Sequence, residues 1–217
     1  MTWTTFLMTM TSKICSAVLA ITVLVLLAGG SSLWAIDNLG TIQNVDSRTN
    51  MADRTQFGQI SLLIPDDWNV RKASDSLTFI GPQRKAGASL IINDLQGQAT
   101  ESDSEIALKM AEALALGFGG QPPRLLAPNV MLVEIPAPAI PEPMKQGLQV
   151  KDQDLEARMI VSVNDQVIIL LGFFGWDQET EEVVRTLQGN TPKAQKAVDQ
   201  LLAVDFNKGQ RTRRLIK

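Results

Sequence analysis

The chemistry open to this chain is limited first by the residue types that it lacks. It contains no histidine and no tyrosine, and Cys15 is its single cysteine. Histidine is the usual general base near neutral pH and the commonest metal ligand. Ser-His-Asp catalysis, Cys-His catalysis and histidine-ligated zinc sites are therefore excluded. The Ser-x-x-Lys spacing, which activates a serine without histidine, is also absent.

Carboxylates are the side chains that remain for acid–base or metal chemistry. A glycosidase-type pair flanks its substrate from two sides, and the adjacent Asp66 and Asp67 cannot do so by themselves. An enzyme of this kind, or one with an oxygen-ligated metal, requires several aspartates to converge in one cleft. The candidates are Asp66, Asp67, Asp94, Asp152 and Asp154.

The spacing of Asp152, Asp154 and Glu156 also invites comparison with a calcium-binding loop. Such a loop needs a glycine where this chain has Ala157 and a glutamate where it has Val163. We therefore interpret the three acids as the solvated face of a strand.

A glycine cluster at Gly117, Gly119 and Gly120 has some likeness to a phosphate-binding loop. It follows a helical pattern instead of opening one, and Pro122 and Pro123 stand where a helix would continue. We interpret it as a helix end followed by a loop. The sequence thus assigns no catalytic, cofactor-binding or metal-ligating residue, and no cofactor.

The most informative stretch is the apolar run from Ile14 to Ile36. Its 23 residues carry no charge, and it is preceded by Lys13 and followed by Asp37. About 20 apolar residues suffice to cross a bilayer, so the run is typical of an export signal or a single N-terminal membrane anchor. Cys15 is the second residue of this run, whereas a lipidated cysteine must follow it.

Two sites suit cleavage by a signal peptidase, because small residues stand shortly before the cut. Ala28 and Gly30 precede Ser31, and Ala35 precedes Ile36. We favour cleavage, with Ala28 and Gly30 as the preferred site. Retention as an anchor is the alternative.

The remaining chain divides by composition into a linker (36–55), one domain (56–207) and a basic tail (208–217). The tail holds five basic residues and no acid, so the first 207 residues carry a net charge of −8. An acidic body argues against nucleic-acid binding, which needs a positive surface. The tail is either a solvated end or a contact to anionic lipid or an acidic partner.

The strongest structural pattern is a hairpin at Leu155–Phe174, where two apolar runs flank Asn164 and Asp165. The second run is nearly continuous, which predicts a central strand. Further strands are predicted at 57–64, 76–80, 88–95 and 129–135. This order, with the helices below, predicts an α+β fold with an antiparallel sheet flanked by helices.

Three helices are predicted from their caps. Ser102 and Glu105 form a capping-box pattern for a helix that ends at Gly117. A second helix is predicted over Asp177–Gln188, and a third opens at Thr191 and runs through Val204.

The segment Ile60–Val70 (ISLLIPDDWNV) resembles the opening strand of PsbP-like and DcrB-like proteins, in which a strand ends in a proline, a turn and a tryptophan. The matching residues are Pro65 and Trp68, with Asp67 where such proteins often carry glycine. The resemblance continues by pattern to the final helix. It implies an α/β/α sandwich around an antiparallel sheet and little about activity, because that fold serves several functions.

These observations predict an exported, non-catalytic binding or assembly module of the bacterial cell envelope, located in the periplasm or otherwise outside the cytosol. A domain without disulfides in that compartment favours a bacterium. The alternatives are a carboxylate- or metal-dependent enzyme, and a structural protein tethered to the membrane by one helix. The unknown partner is a protein or envelope component, for which the candidate contacts are Trp176, Arg211, Arg213 and Arg214.

N-terminal sequencing of the protein from its native host tests the export prediction. We expect the mature chain to begin at Ser31 or Ile36, because small residues precede both positions. A chain that keeps the residues before Ser31 contradicts cleavage and indicates an anchor.

Overall fold

The structure, a computed structural model, describes residues 54–140, 148, 155–175 and 177–206. The elements in these ranges are β1 (Thr55–Phe57), β2 (Ile60–Leu62), β3 (Asn69–Lys72), β4 (Leu77–Ile80), β5 (Gly87–Asp94), α1 (Asp103–Gly117), β6 (Arg124–Ala127), β7 (Val130–Ile135), a 3-10 turn (Ala137–Ala139), β8 (Ala157–Asn164), β9 (Val167–Phe174), α2 (Gln178–Arg185), β10 (Gln188–Gly189) and α3 (Pro192–Leu202).

The main sheet has seven antiparallel strands in the order β3-β4-β5-β9-β8-β7-β6. β9 is its middle strand, and all of its residues are buried, which confirms the predicted central position. β8 and β9 form the predicted hairpin, although the turn residues are Asp165 and Gln166. Both have positive φ, 48° and 61°, as a two-residue type I′ turn requires.

The sheet is covered on both faces. Successive side chains of a strand point to opposite sides, so Ile169 and Leu171 pack toward α2 and α3, whereas Ile168 and Leu170 pack toward α1. α1 lies on β7 and β8, and α3 lies on β8 and β9. A small sheet, β1-β2-β10, joins the α3 side. The layers are helix, sheet and helix, which confirms the predicted α+β class and sandwich.

The predicted helix starts are present. The Ser102 hydroxyl accepts from the Glu105 backbone N–H, while the Glu105 carboxylate accepts from the Ser102 N–H at 2.9 Å. The side chains of Asp177 and Thr191 cap α2 and α3, and each accepts a hydrogen bond from the backbone N–H three residues further on. α2 and α3 both end a few residues earlier than predicted, at Arg185 and Leu202.

The predicted Pro65–Trp68 turn is also confirmed. The Trp68 N–H donates to the Pro65 carbonyl at 3.1 Å. The indole is buried, 5.9 Å from the Phe79 ring between centroids. Trp68 is therefore a core residue on the α3 side of the sheet.

Other predictions need correction. The single strand expected at 57–64 is split into β1 and β2, because Gly58 adopts a φ of 57° and the chain turns there. β3, β6 and β10 were not predicted. β10 places Gly189 where a Cβ would lie 2.1 Å from the Gln195 backbone nitrogen, so glycine is required for this close approach.

No helix within the described ranges is long and apolar enough to span a bilayer. The predicted export segment, the predicted linker as far as residue 53 and the basic tail lie outside those ranges.

Truncation of Leu171 tests the central position of β9. Leu171 is fully buried between Leu90 and Ile160 of the neighbouring strands. We expect Leu171→Ala to lower the free energy of unfolding by about 2–5 kcal/mol in urea denaturation. The matched control, Leu108→Ala on the exposed side of α1, should change it by less than about 1 kcal/mol. Equal losses in both variants would contradict the packing described above.

Candidate functional site

Most residues named as candidate sites from the sequence lie outside the described ranges. These are the cleavage residues Ala28, Gly30 and Ala35, the contact residues Trp176, Arg211, Arg213 and Arg214, and two of the acids, Asp152 and Asp154. They stay predictions.

The described acids do not converge. Asp66 and Asp67 are exposed in the turn before β3. The first residue of β3, Asn69, pairs with Ile80 of β4, and Ile80 pairs in turn with Gly87 at the start of β5. Asp94 stands at the other end of β5, seven residues from Gly87, which corresponds to about 23 Å of strand. Within the described ranges no group of three or more acidic, cysteine or histidine residues could hold a metal ion.

Asp94 instead forms a link between the sheet and α3. Its carboxylate accepts from Lys193 Nζ at 2.7 Å and from the Gln96 backbone N–H at 2.9 Å. Gln59 approaches the second oxygen at 3.5 Å. The carboxylate is mostly buried, with a side-chain exposure of 16%. The end of β5 is therefore held to the first turn of α3.

These contacts keep Asp94 ionised. Burial by itself raises the pKa of the carboxyl, but the hydrogen bonds from Lys193, Gln96 and Gln59, with the charge of Lys193, outweigh it. The net result is a pKa below the usual range. A carboxylate that is paired and held ionised in this way stabilises the fold, and it is poorly suited to donate a proton.

The two ends of the described chain meet at the C-terminal end of α2. On the N-terminal side, the Arg54 guanidinium donates to the backbone carbonyls of Thr186 and of Ser61, the latter at 3.1 Å. The Leu63 N–H also donates to the Thr186 hydroxyl at 2.8 Å. Arg54 and Leu63 are therefore both held to Thr186.

On the C-terminal side, the contacts are made by Arg185, which precedes Thr186 in the sequence. Its guanidinium lies 4.8 Å from the centroid of the Phe206 ring and donates to the Leu202 carbonyl at 3.3 Å. Arg158 donates to the Phe206 carbonyl at 3.3 Å. We call Arg54, Arg158, Arg185, Thr186 and Phe206 the chain-end site.

The chain-end site joins segments that lie far apart in the sequence. Arg158 is 5% exposed and extends from β8, a strand whose other core residues are mostly apolar. Removing a guanidinium from water is costly unless it is paired, and Glu156 lies 3.3 Å from it. The three arginines of the site bind backbone carbonyls and a ring, so they hold Arg54 and Phe206 to the C-terminal end of α2 and to β8.

Sequence reasoning missed this site. Arg54, Arg158 and Arg185 are isolated in the sequence, and no motif connects them. The one available signal was Arg158, a charge within the β-forming run ARMIVSVN, which implies a buried partner.

Three leucines on the α1 side of the domain are exposed. Leu116 near the end of α1 is 87% exposed, and Leu108 on the same helix is 41% exposed. Leu125 in the edge strand β6 is 62% exposed, and it pairs with Met131, whose side chain belongs to the α1-side core. We call Leu108, Leu116 and Leu125 the leucine surface. This surface was not predicted from the sequence, because apolar residues in a helix or a strand are usually buried in the core.

Comparison with known proteins returns only distant structural similarity. No family model matches the chain, and no curated protein matches it. The solution structure of PsbP (CyanoP) from the cyanobacterium Synechocystis is similar to 70% of this chain, and the match covers 98% of that protein, with 11% identity and a TM-score of 0.38.

Two further solved structures are similar to a comparable extent. The Ran-binding protein Mog1p of Saccharomyces cerevisiae matches over 61% of this chain and 91% of its own, with 10% identity and a TM-score of 0.36. A Bacteroides thetaiotaomicron protein matches over 62% of this chain, with 14% identity and a TM-score of 0.37. This chain spans 46% of that protein.

The PsbP-like resemblance inferred from Pro65 and Trp68 is thus found again among solved structures. The antiparallel sheet and its helix layers define the fold. Identities this low carry no activity or partner over to this chain.

The Asp94–Lys193 link has a measurable pH signature. Because the folded pKa of Asp94 is lowered, its stabilisation is complete above the unfolded pKa of about 4 and is lost as pH falls through the folded value. In Lys193→Met we expect the pKa of Asp94 to rise, which carbon-detected NMR titration of the carboxyl measures.

The control is Lys196→Met, a change of an exposed lysine one turn further along α3. It should leave the Asp94 titration unchanged. An Asp94 pKa that is the same in wild type and Lys193→Met would refute the pairing as the cause of ionisation.

Proposed function

We propose that this chain is an exported, non-catalytic binding or assembly module that works outside the cytosol, in the envelope of a bacterium. Three sequence features support the compartment. They are the uncharged run Ile14–Ile36, the polar stretch that follows it, and the lack of cysteine after Cys15.

The proposed binding activity rests on one observation, the leucine surface. Full burial of a leucine side chain is worth about 1.5–3 kcal/mol relative to exposure. Leu116 and Leu125 are 87% and 62% exposed and forgo most of this gain in the isolated domain. A partner that covers them recovers it, and this gain is the physical argument for a contact at these leucines.

The polar clusters support a non-catalytic activity. Asp94 is engaged by Lys193, and Arg158 and Arg185 bind backbone carbonyls at the chain end. These side chains hold elements together and keep fixed charges, which suits a rigid module. The whole chain also lacks histidine and tyrosine, which leaves few groups that exchange protons near neutral pH.

Site-specific photo-crosslinking in the native host tests the binding activity. A photoreactive amino acid is placed at Leu116 or at Leu125 of the full chain. We expect the same discrete adduct from both positions, because one partner surface covers both leucines. Mass spectrometry of the adduct identifies the partner.

The matched control carries the same photoreactive residue at Gln83 or Lys196, which are exposed polar positions on other elements. No adduct is expected there. A ladder of similar products from all four positions, or no product from the leucine positions, would contradict the proposal.

A further inference from the structure

We propose that the leucine surface binds an amphipathic helix of another protein. A lysine or arginine of that helix pairs with Glu112, and apolar side chains one turn away on each side of it cover the leucines. The inference deepens the proposed binding activity and rests on it. It adds the kind of element that binds, its charge and its direction along α1.

The spacing of three residues on α1 carries the inference. Leu108, Glu112 and Leu116 are four residues apart, so they lie one above another along one side of the helix. All three are exposed, and the buried residues of α1 face the sheet. At a rise of about 1.5 Å per residue, Leu116 lies about 12 Å beyond Leu108 along the helix axis. The three side chains therefore form a ridge with a carboxylate between two leucines.

Glu112 is the charge on this ridge that the fold leaves without a partner. Among the described residues, none forms a hydrogen bond or an ion pair with its carboxylate. Other charges near the leucines are paired, Lys109 with Glu101 at 3.3 Å and Arg124 with Glu134 at 3.7 Å. A partner with one basic residue opposite Glu112 therefore gains an ion pair without displacing an existing one, whereas an acidic residue there is repelled.

The neighbouring edge strand favours a helix over an added strand as the bound element. β6 lies at the edge of the main sheet, but its pairing with β7 is irregular between Leu125 and Ala127. Pro122 and Pro123, which precede β6, have no N–H to donate. Bulges and prolines at an edge oppose the addition of another strand. Leu125 therefore offers a docked helix its side chain.

Charge argues against a second copy of this chain as the partner. When two antiparallel α1 helices pair about a two-fold axis, the numbers of facing residues have a constant sum. A pairing that brings Leu108 against Leu116 of the second copy therefore brings Glu112 against Glu112. Two carboxylates at one contact repel each other, which weakens such a dimer. A different protein with a basic residue at that position avoids the repulsion.

Photo-crosslinking from two positions on α1 in the native host tests the kind and direction of the bound element. A photoreactive residue is placed at Leu108 or at Leu116 of the full chain, and mass spectrometry identifies the partner residue that each one reaches. We expect two positions about eight residues apart in one partner protein, with a lysine or arginine between them, because a helix aligned with α1 covers ~12 Å in about two turns.

Three results of this mapping would overturn the inference. An extended strand covers the same distance with about four residues, so a spacing of about four identifies a strand. The second result is a partner segment without a basic residue between the two positions. The third is an adduct with another copy of this chain.

Variants of Glu112 test the ion pair. We expect Glu112→Gln to lower the yield of the Leu116 adduct about 1.5- to 5-fold, the range that exposed ion pairs give, and Glu112→Lys to lower it further. The matched control, Glu179→Gln, removes an exposed carboxylate of α2 and should leave the yield unchanged. Replacing the partner's basic residue with glutamate should restore the adduct of Glu112→Lys, which a general loss of stability cannot explain.

The outcomes separate this inference from the proposed function. If the adducts form with equal yield in wild type, Glu112→Gln and Glu112→Lys, the binding activity is supported and the pairing with Glu112 is overturned. If neither leucine position gives an adduct in the otherwise wild-type chain, both proposals are contradicted.

Discussion

The burial of β9 on both faces is the constraint on which the rest of the structure depends. All eight residues of this strand are buried, so each face must be covered by its own layer. α1 covers one side, and α2, α3 and the small sheet cover the other. The neighbouring strands β5 and β8 complete the hydrogen bonds of β9 along its whole length. The layered fold is the packing solution for an apolar strand that cannot lie at an edge.

Polar contacts add a second level of organisation at the margins of the core. Lys193 binds Asp94 and holds α3 to the end of β5. Arg54, Arg158 and Arg185 donate hydrogen bonds to backbone carbonyls near the first and last described residues. The Lys193–Asp94 and Arg158–Phe206 contacts join residues 99 and 48 positions apart in the sequence. Each of these polar contacts places a charge where it is largely or partly shielded from water. They therefore fix the positions of these elements relative to one another.

Local sequence signals predicted much of the fold. Ser102, Asp177 and Thr191 begin helices because their side chains satisfy free backbone N–H groups within three residues. The β8–β9 hairpin is equally local, since its turn and its two apolar runs are contiguous. β3, β6 and β10 were missed because Asn69–Lys72 holds a single apolar residue, Arg124–Ala127 follows prolines and Gln188–Gly189 is too short to show a period. Their strand pairing is supplied by β4, β7 and β2. The leucine surface was missed because exposure depends on which neighbours arrive.

The sequence by itself determined the uncharged apolar run Ile14–Ile36, the charge of the tail, the helix caps and the exclusion of histidine chemistry. These are properties of composition or of residues a few positions apart. The tertiary structure alone decided that Asp94 lies far from Asp66 and Asp67, and that Arg54 meets Thr186 across 132 positions. Such contacts form only when the strands of the sheet pair and bring distant segments together. Loop-closure entropy opposes them, and the burial of β9 stabilises them.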